Sequence, residues 1–166
     1  DDLIIFDPDD HRRELRRFTF PRQGKEPWLC LSDYVASVES GRMDNVCMQV
    51  VTVGRRPTEL CDAWNKAGEY SKALYYHGLA TETAEALAEW NHRRIKAGWG
   101  IGPKQGNRYS FGYSACPELA DQAKMFDVLP AEHELGLELT DHFQIVPEQS
   151  TSAIIFHHPE CTYYVV

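Results

Sequence analysis

The chain has 166 residues, 43% hydrophobic and 25% charged, with a formal net charge of −8. That length and composition suit one globular domain with its own core and exclude a disordered tail. The acidic balance argues against a dedicated nucleic-acid binder, which needs a basic surface, and no apolar run reaches membrane-spanning length. Five cysteines (Cys30, Cys47, Cys61, Cys116 and Cys161) are odd in number, widely spaced and without a Cys-x-x-Cys. A reducing, cytoplasmic setting is therefore expected rather than a disulfide or zinc framework, and no signal peptide is visible. The chain opens without a methionine and stops on Tyr163-Tyr164-Val165-Val166, which reads as a piece of a longer protein.

In chain order, Leu3 to Phe6 is predicted as a strand ended by the turn Asp7-Pro8-Asp9-Asp10. Leu15 to Phe20 is a second strand. The basic island of Arg12, Arg13, Arg16 and Arg17 reads as its solvated face, with a docking patch for an acidic partner as the alternative. Pro21 to Pro27 is a loop, and Trp28 to Val35 is undecided. Val46 to Gly54 is the strongest strand signal, so apolar that it is expected at the centre of the sheet, buried on both faces.

Pro57 and Thr58 open a helix carrying Leu60, Ala63 and Trp64. A second helix runs from about Tyr70 to about Lys96, with Ala80, Ala84, Leu87, Ala88, Asn91 and Ile95 on one face. Glu89 and Arg93 form an i, i+4 pair on its wet side, and Gly78 is a candidate break. Gly98 to Gly106 is a connector, and a short helix opens at Pro117 with Leu119, Ala123 and Phe126 inward. Gly136 to Thr140 is a turn into a strand. Phe143 to Val146, Ser152 to His157 and Thr162 to Val166 are three further strands. Strands, then helices, then strands indicate an α+β fold with a mainly antiparallel sheet.

The stretch Arg108 to Pro117 (RYSFGYSACP) is the best candidate site. An arginine can fork onto a carboxylate with two parallel hydrogen bonds. Gly112 allows a sharp turn, and Tyr113 offers a ring face and a hydroxyl. A small ligand with a carboxylate and a flat ring would fit, and an ordinary surface loop with Tyr113 tucked inward is the competing reading. The run Gly100 to Gly106 follows a helix rather than a strand, so it is not a dinucleotide loop. His157 and His158 would point to opposite faces of a strand and so would not share a metal. His77 and His92 read as packing or surface residues. Tyr163 and Tyr164 alternate on a terminal strand, one ring inward and one able to line a site. No nucleophile elbow, P-loop or Cys/His pair is present.

The same stretch, Arg108 to Pro117, resembles the Arg-x-x-x-Gly-Tyr-Pro-Ala-Cys-Pro motif of the activation domain of cobalamin-dependent methionine synthase. Further segments resemble that family in its own order: FTFPRQ from Phe18, CLSDY from Cys30, QVVTVG from Gln49, HGLATETAEALAEW from His77, GLELTD from Gly136, PEQS from Pro147 and HHPECTYY from His157. The resemblance implies a C-shaped α+β domain around a twisted, mainly antiparallel sheet with long helices, residues 1–166 being one activation domain truncated at both ends. It implies binding of S-adenosylmethionine to support reductive remethylation of oxidised cobalamin in methionine biosynthesis. The chemistry would belong to the cofactor and the sulfonium, with the protein binding and orienting.

Carried over by position, Arg108 would bind the ligand's carboxylate, the Gly112-Tyr113 turn would hold it through backbone, and Tyr163 and Tyr164 would flank it. No residue here is expected to be catalytic or to bind metal. Cobalamin would be bound mainly by another domain of the same enzyme, zinc only in another domain, and flavodoxin or a similar reductase would be the electron-donating partner. Ser114 departs from the motif's proline, which leaves the loop less rigid. The family's acidic contact to the ligand would precede residue 1. A free-standing binding or docking module, and an independent S-adenosylmethionine methyltransferase, are the competing readings.

Overall fold

In the computed structural model, which describes all residues 1–166, the first two apolar runs form a hairpin. β1 (Asp2–Phe6) and β2 (Glu14–Thr19) are antiparallel, with Leu3 opposite Phe18. The Asp7 carboxylate accepts from the N–H groups of Asp9 and Asp10, the local bond that makes aspartate a turn former. Alternation sends Leu3 and Phe18 into the core and Arg17 outward, while Arg16, on the same side as Phe18, is only half-buried and reaches toward the helix that packs on this strand. Arg16 reaches Asp127 at 2.8 Å, Arg17 reaches Asp2 and Glu14, and Arg13 reaches Asp7. Three of the island's four arginines are thus paired within their own surroundings, which favours the solvated-face reading. The undecided segment forms a 3-10 turn, Leu31–Tyr34, that delivers Leu31 and Tyr34 to the core.

The main sheet has three antiparallel strands, β3 (Cys47–Thr52), β4 (Asn107–Tyr109) and β7 (Ser150–Phe156), in the order β3-β7-β4. This corrects the expectation for Val46 to Gly54: β3 is an edge strand, partly exposed at four of its six positions. The central strand is β7, buried from Ser152 to Phe156. Its hydroxyl-rich start weakens its apolar signal, yet ladders on both sides and a helix over one face decide burial. Complete burial of Ile154, Ile155 and Phe156 contributes about 1.5–3 kcal/mol each. Thr162 to Val166, expected as a strand, joins no ladder. Two small strands, β5 (Glu138–Leu139) and β6 (Ile145–Val146), form a separate pair, so the strands make three small antiparallel sheets.

Helix α1 (Arg56–Lys66) packs on α2 (Tyr70–Gly98), with Trp64 edge-on to Tyr76 at 5.3 Å. α2 runs unbroken through Gly78. Its buried stripe is Ala73, Ala80, Ala84, Ala88, His92 and Lys96, and the small alanines let it sit close against β3 and β7. His92 and Lys96 are the polar end of a stripe expected to continue through Asn91 and Ile95. The Glu89–Arg93 pair forms at 2.9 Å. The helix expected at Pro117 begins later, as α3 (Asp121–Val128), because Pro117 and Glu118 are irregular and Leu119 and Ala120 form a turn first. A short α4 (Ala131–Leu135), unforeseen in the sequence, ends on Gly136 at φ 62° and seals Phe126, Ala131 and Leu137 together. No helix is long and apolar enough to cross a membrane.

The core's main cluster is aromatic. Phe18 stacks on Phe20 and Phe111, and Tyr34 packs against Tyr109 and Phe156. Gly106 links the connector to this core. At φ +73°, an added Cβ would lie 2.5 Å from the Phe156 carbonyl oxygen, so only glycine fits. Lys96 Nζ donates to the Pro103 and Gly106 carbonyls at 2.7 and 3.2 Å, tying the end of α2 to the start of β4.

Candidate functional site

The predicted ligand loop begins as a strand. β4 carries Asn107 to Tyr109 along the edge of β7, so Arg108 projects from a rigid element. After Phe111 the chain turns tightly: the Gly112 N–H donates to the Cys116 carbonyl and the Cys116 N–H to the Tyr113 carbonyl, both at 2.8 Å. Gly112 sits at φ +87°, the region where its missing side chain matters. Phe111, Ala115 and Cys116 are buried, while Gly112, Tyr113 and Ser114 face solvent. Buried anchors therefore hold an exposed turn tip.

Beside this turn lies a cleft of ≈ 500 Å³. Arg108, Tyr113, Tyr163 and Tyr164 all line it, four of the five residues expected from sequence. Gly112 does not; it shapes the turn from behind. The competing picture of Tyr113 tucked inward fails, since its ring is 72% exposed at the rim. Tyr163 and Tyr164 arrive by an unexpected route. The C-terminal segment is held by side-chain clamps instead of a ladder: Asn107 to the Cys161 carbonyl, Tyr109 Oη to the Thr162 carbonyl, and Gln23 to the Val165 carbonyl. Tyr163 Oη in turn donates to the Arg108 carbonyl at 2.7 Å.

Sequence reasoning missed Glu85. It projects from α2, and its carboxylate lies 3.0 Å from Arg108 Nη2. Nothing local marks it, since its helix carries several exposed glutamates. Arg108 is 84% buried along its side chain, with 16% exposed, and its Nη1 is buried without a partner. The Tyr164 hydroxyl is likewise buried and unpaired. Burial raises the pKa of both Tyr163 and Tyr164, so both stay neutral hydroxyls at pH 7. Cys116 is no thiolate either, because burial, followed by the nearby Asp121, pushes its pKa far up.

His157 and His158 go to separate partners, Asp44 at 2.7 Å and the Tyr34 ring. No three His, Cys, Asp or Glu side chains gather in a metal-holding group. A carboxylate and a guanidinium side by side match the zwitterionic head of an α-amino acid, and three tyrosines around them match a flat ring. The unpaired donor on Arg108 gives the fit a concrete basis, since a ligand carboxylate would supply acceptors beside it.

Fold and cleft together define a small α+β domain with a tyrosine-lined cleft beside an arginine–glutamate pair. Over residues 1–166 the chain matches the family described as vitamin B12 dependent methionine synthase, activation domain, and it belongs to that family. It is 34% identical over 189 residues to methionine synthase of Mycobacterium tuberculosis and 31% identical to that of Mycobacterium leprae. Each alignment covers 100% of this chain and 16% of the relative, so the chain spans about a sixth of their length. Among solved structures it resembles the MetH reactivation domain bound to AdoHcy, with a TM-score of 0.92 and 30% identity. That match covers 99% of this chain and 56% of the other.

Proposed function

We propose that residues 1–166 form one reactivation module of a cobalamin-dependent methionine synthase, binding S-adenosylmethionine, or its demethylated product, in the Arg108–Glu85 cleft. The observation that carries this reading is the charge pair at 3.0 Å inside a tyrosine-lined cleft of ≈ 500 Å³. Arg108 takes the ligand's carboxylate, Glu85 its ammonium, and Tyr113, Tyr163 and Tyr164 its adenosine. Family membership and the AdoHcy held by the similar reactivation domain support this over a free-standing docking module.

Bound there, the ligand supplies an electrophilic methyl group on a sulfonium. This chain's residues orient it and withhold nucleophiles that would be methylated instead. Cobalamin belongs to another domain of the parent enzyme, and no residue here is assigned to hold it. A reductase such as flavodoxin and a cytoplasmic location complete the proposal. Calorimetric titration with S-adenosylhomocysteine tests it. Saturable binding by the wild type that is lost in Arg108→Ala supports the site, and equal affinity in the two removes Arg108 from it.

A further inference from the structure

The turn that presents Tyr113 carries two polar groups that the contacts above leave unused. The Cys116 N–H donates to the Tyr113 carbonyl at 2.8 Å, so Tyr113 to Cys116 is a β-turn with Ser114 at its second position. Proline favours that position because its ring presets the φ the turn needs, and the motif resembled above has proline there. Serine keeps what proline lacks, a main-chain N–H, and adds a hydroxyl. Neither group bonds elsewhere in the protein.

Ser114 is exposed but firmly held. Phe111, Ala115 and Cys116 around it are buried, and the Gly112 N–H closes the turn a second time on the Cys116 carbonyl at 2.8 Å. Its donors therefore stand on a frame that needs little further ordering to engage a ligand.

Ser114 lines the same cleft as Arg108 and Glu85, and elimination within that cleft gives its role. Arg108 and Glu85 take the charged head of the ligand. The Tyr109 and Tyr163 hydroxyls are engaged by the Thr162 and Arg108 carbonyls, and the Tyr164 hydroxyl is buried. Ser110 stands two residues from Arg108, beside the head. Tyr113 and Ser114 remain for the rest of the ligand. A flat base matches the Tyr113 ring. A ribose diol, two adjacent hydroxyls that both donate and accept, matches the N–H and hydroxyl of Ser114.

We propose that Ser114 is a specificity-determining residue of the cleft, its N–H and hydroxyl recognising the ribose diol of the ligand while Tyr113 takes the base. This rests on the reading of the cleft as the site of S-adenosylmethionine or its demethylated product. A proline at this position could make neither bond. The departure from the motif thus adds ribose recognition where it gives up rigidity.

The test is calorimetric titration of wild type, Ser114→Ala and Ser114→Pro with S-adenosylhomocysteine and with its 2′-deoxy and 3′-deoxy analogues. In the wild type at least one deoxy analogue should bind about fivefold more weakly, the span of one neutral hydrogen bond. S114A keeps the N–H, so the parent ligand should weaken about fivefold and part of the discrimination should go. S114P loses both donors, and the affinity ratio of parent to deoxy ligand should fall to about one. The ratio decides, because any stiffening of the turn by proline acts on all three ligands alike. A purely structural role for Ser114 would move the three affinities together.

Proline fits the second position of a β-turn, so S114P should melt no lower than wild type. Should it fail to fold, S114A decides alone. Equal wild-type affinity for the parent and both deoxy analogues, or an undiminished ratio in the deciding variant, overturns the proposal and leaves the cleft standing. Absence of wild-type binding to S-adenosylhomocysteine overturns the cleft reading and this proposal with it.

Discussion

Arg108 on β4 and Glu85 on α2 meet at 3.0 Å although 23 positions separate them in the chain. Each keeps capacity beyond the other. The guanidinium has further donors, and the carboxylate is 52% exposed toward the cleft. Arg108→Ala should weaken S-adenosylhomocysteine binding about 10- to 100-fold, the span of a charged hydrogen bond worth roughly 1.5–3 kcal/mol. Glu85→Gln keeps an acceptor but loses charge, so a smaller loss of about three- to tenfold is expected. Thermal unfolding should move little in Glu85→Gln, whose carboxylate is half exposed, and somewhat more in Arg108→Ala, which also removes a largely buried stem. Calorimetry with a parallel melting curve checks both halves.

Tyr163→Phe removes the hydroxyl that bonds the Arg108 carbonyl and leaves the ring that lies 5.3 Å from Tyr109. One neutral hydrogen bond contributes about 1 kcal/mol, so ligand affinity should fall about fivefold. The C-terminal segment has no ladder to fall back on. Amide exchange from Thr162 to Val166 should therefore quicken in the variant, and unchanged exchange would show that the remaining clamps suffice.

Gly106→Ala and Gly112→Ala separate two kinds of glycine. Both positions have positive φ, which costs a residue with a Cβ about 1–3 kcal/mol. At Gly106 the added carbon would also meet the Phe156 carbonyl at 2.5 Å, whereas at Gly112 it meets only the Leu119 side chain at 3.1 Å, which can shift. Urea denaturation should rank Gly106→Ala as clearly the more damaging. Gly112→Ala should instead affect ligand binding more than its stability cost suggests, because it distorts the turn that presents Tyr113.

Asp33 contributes stability that depends on pH. Its hydrogen bonds from Arg22, the shorter contacts including one of 2.7 Å, hold its carboxyl below the ordinary value of 3.8. A depressed folded-state pKa means the stabilisation is complete above 3.8 and disappears as pH falls through the lower folded value. The side chain is 47% exposed, so the effect is small, about 0.5 kcal/mol. Asp33→Asn should therefore be less stable than wild type at pH 7, with the gap closing at pH 3. A gap that widens toward pH 3 would reverse the assignment.

The residues that carried the family resemblance proved to be mostly turn and core residues. Phe18, Phe20, Cys30, Leu31 and Tyr34, within FTFPRQ and CLSDY, are buried in the main aromatic cluster. The site was legible where chemistry is local: a lone arginine ahead of a Gly-Tyr turn. Glu85 was not, because one exposed glutamate on a helix looks like another until the sheet sets Arg108 opposite it. The strand at Val46 to Gly54 misled for a related reason. Apolar composition reports how much surface a segment wants to bury, whereas β7 is central because β3 and β4 pair on its two sides.

By itself, then, the sequence determined what short-range physics encodes: the alternation of β1 and β2, the long helical stripe of α2, the glycine-bearing turn at Gly112, and an arginine just ahead of it. Only the tertiary structure decided which strand lies at the centre, that Lys96 is buried against two carbonyls, and that the last residues reach the cleft without a ladder. It also brought Arg108 to Glu85. Periodicity is a property of neighbours a few residues apart, while burial and ion pairing depend on which distant segments meet.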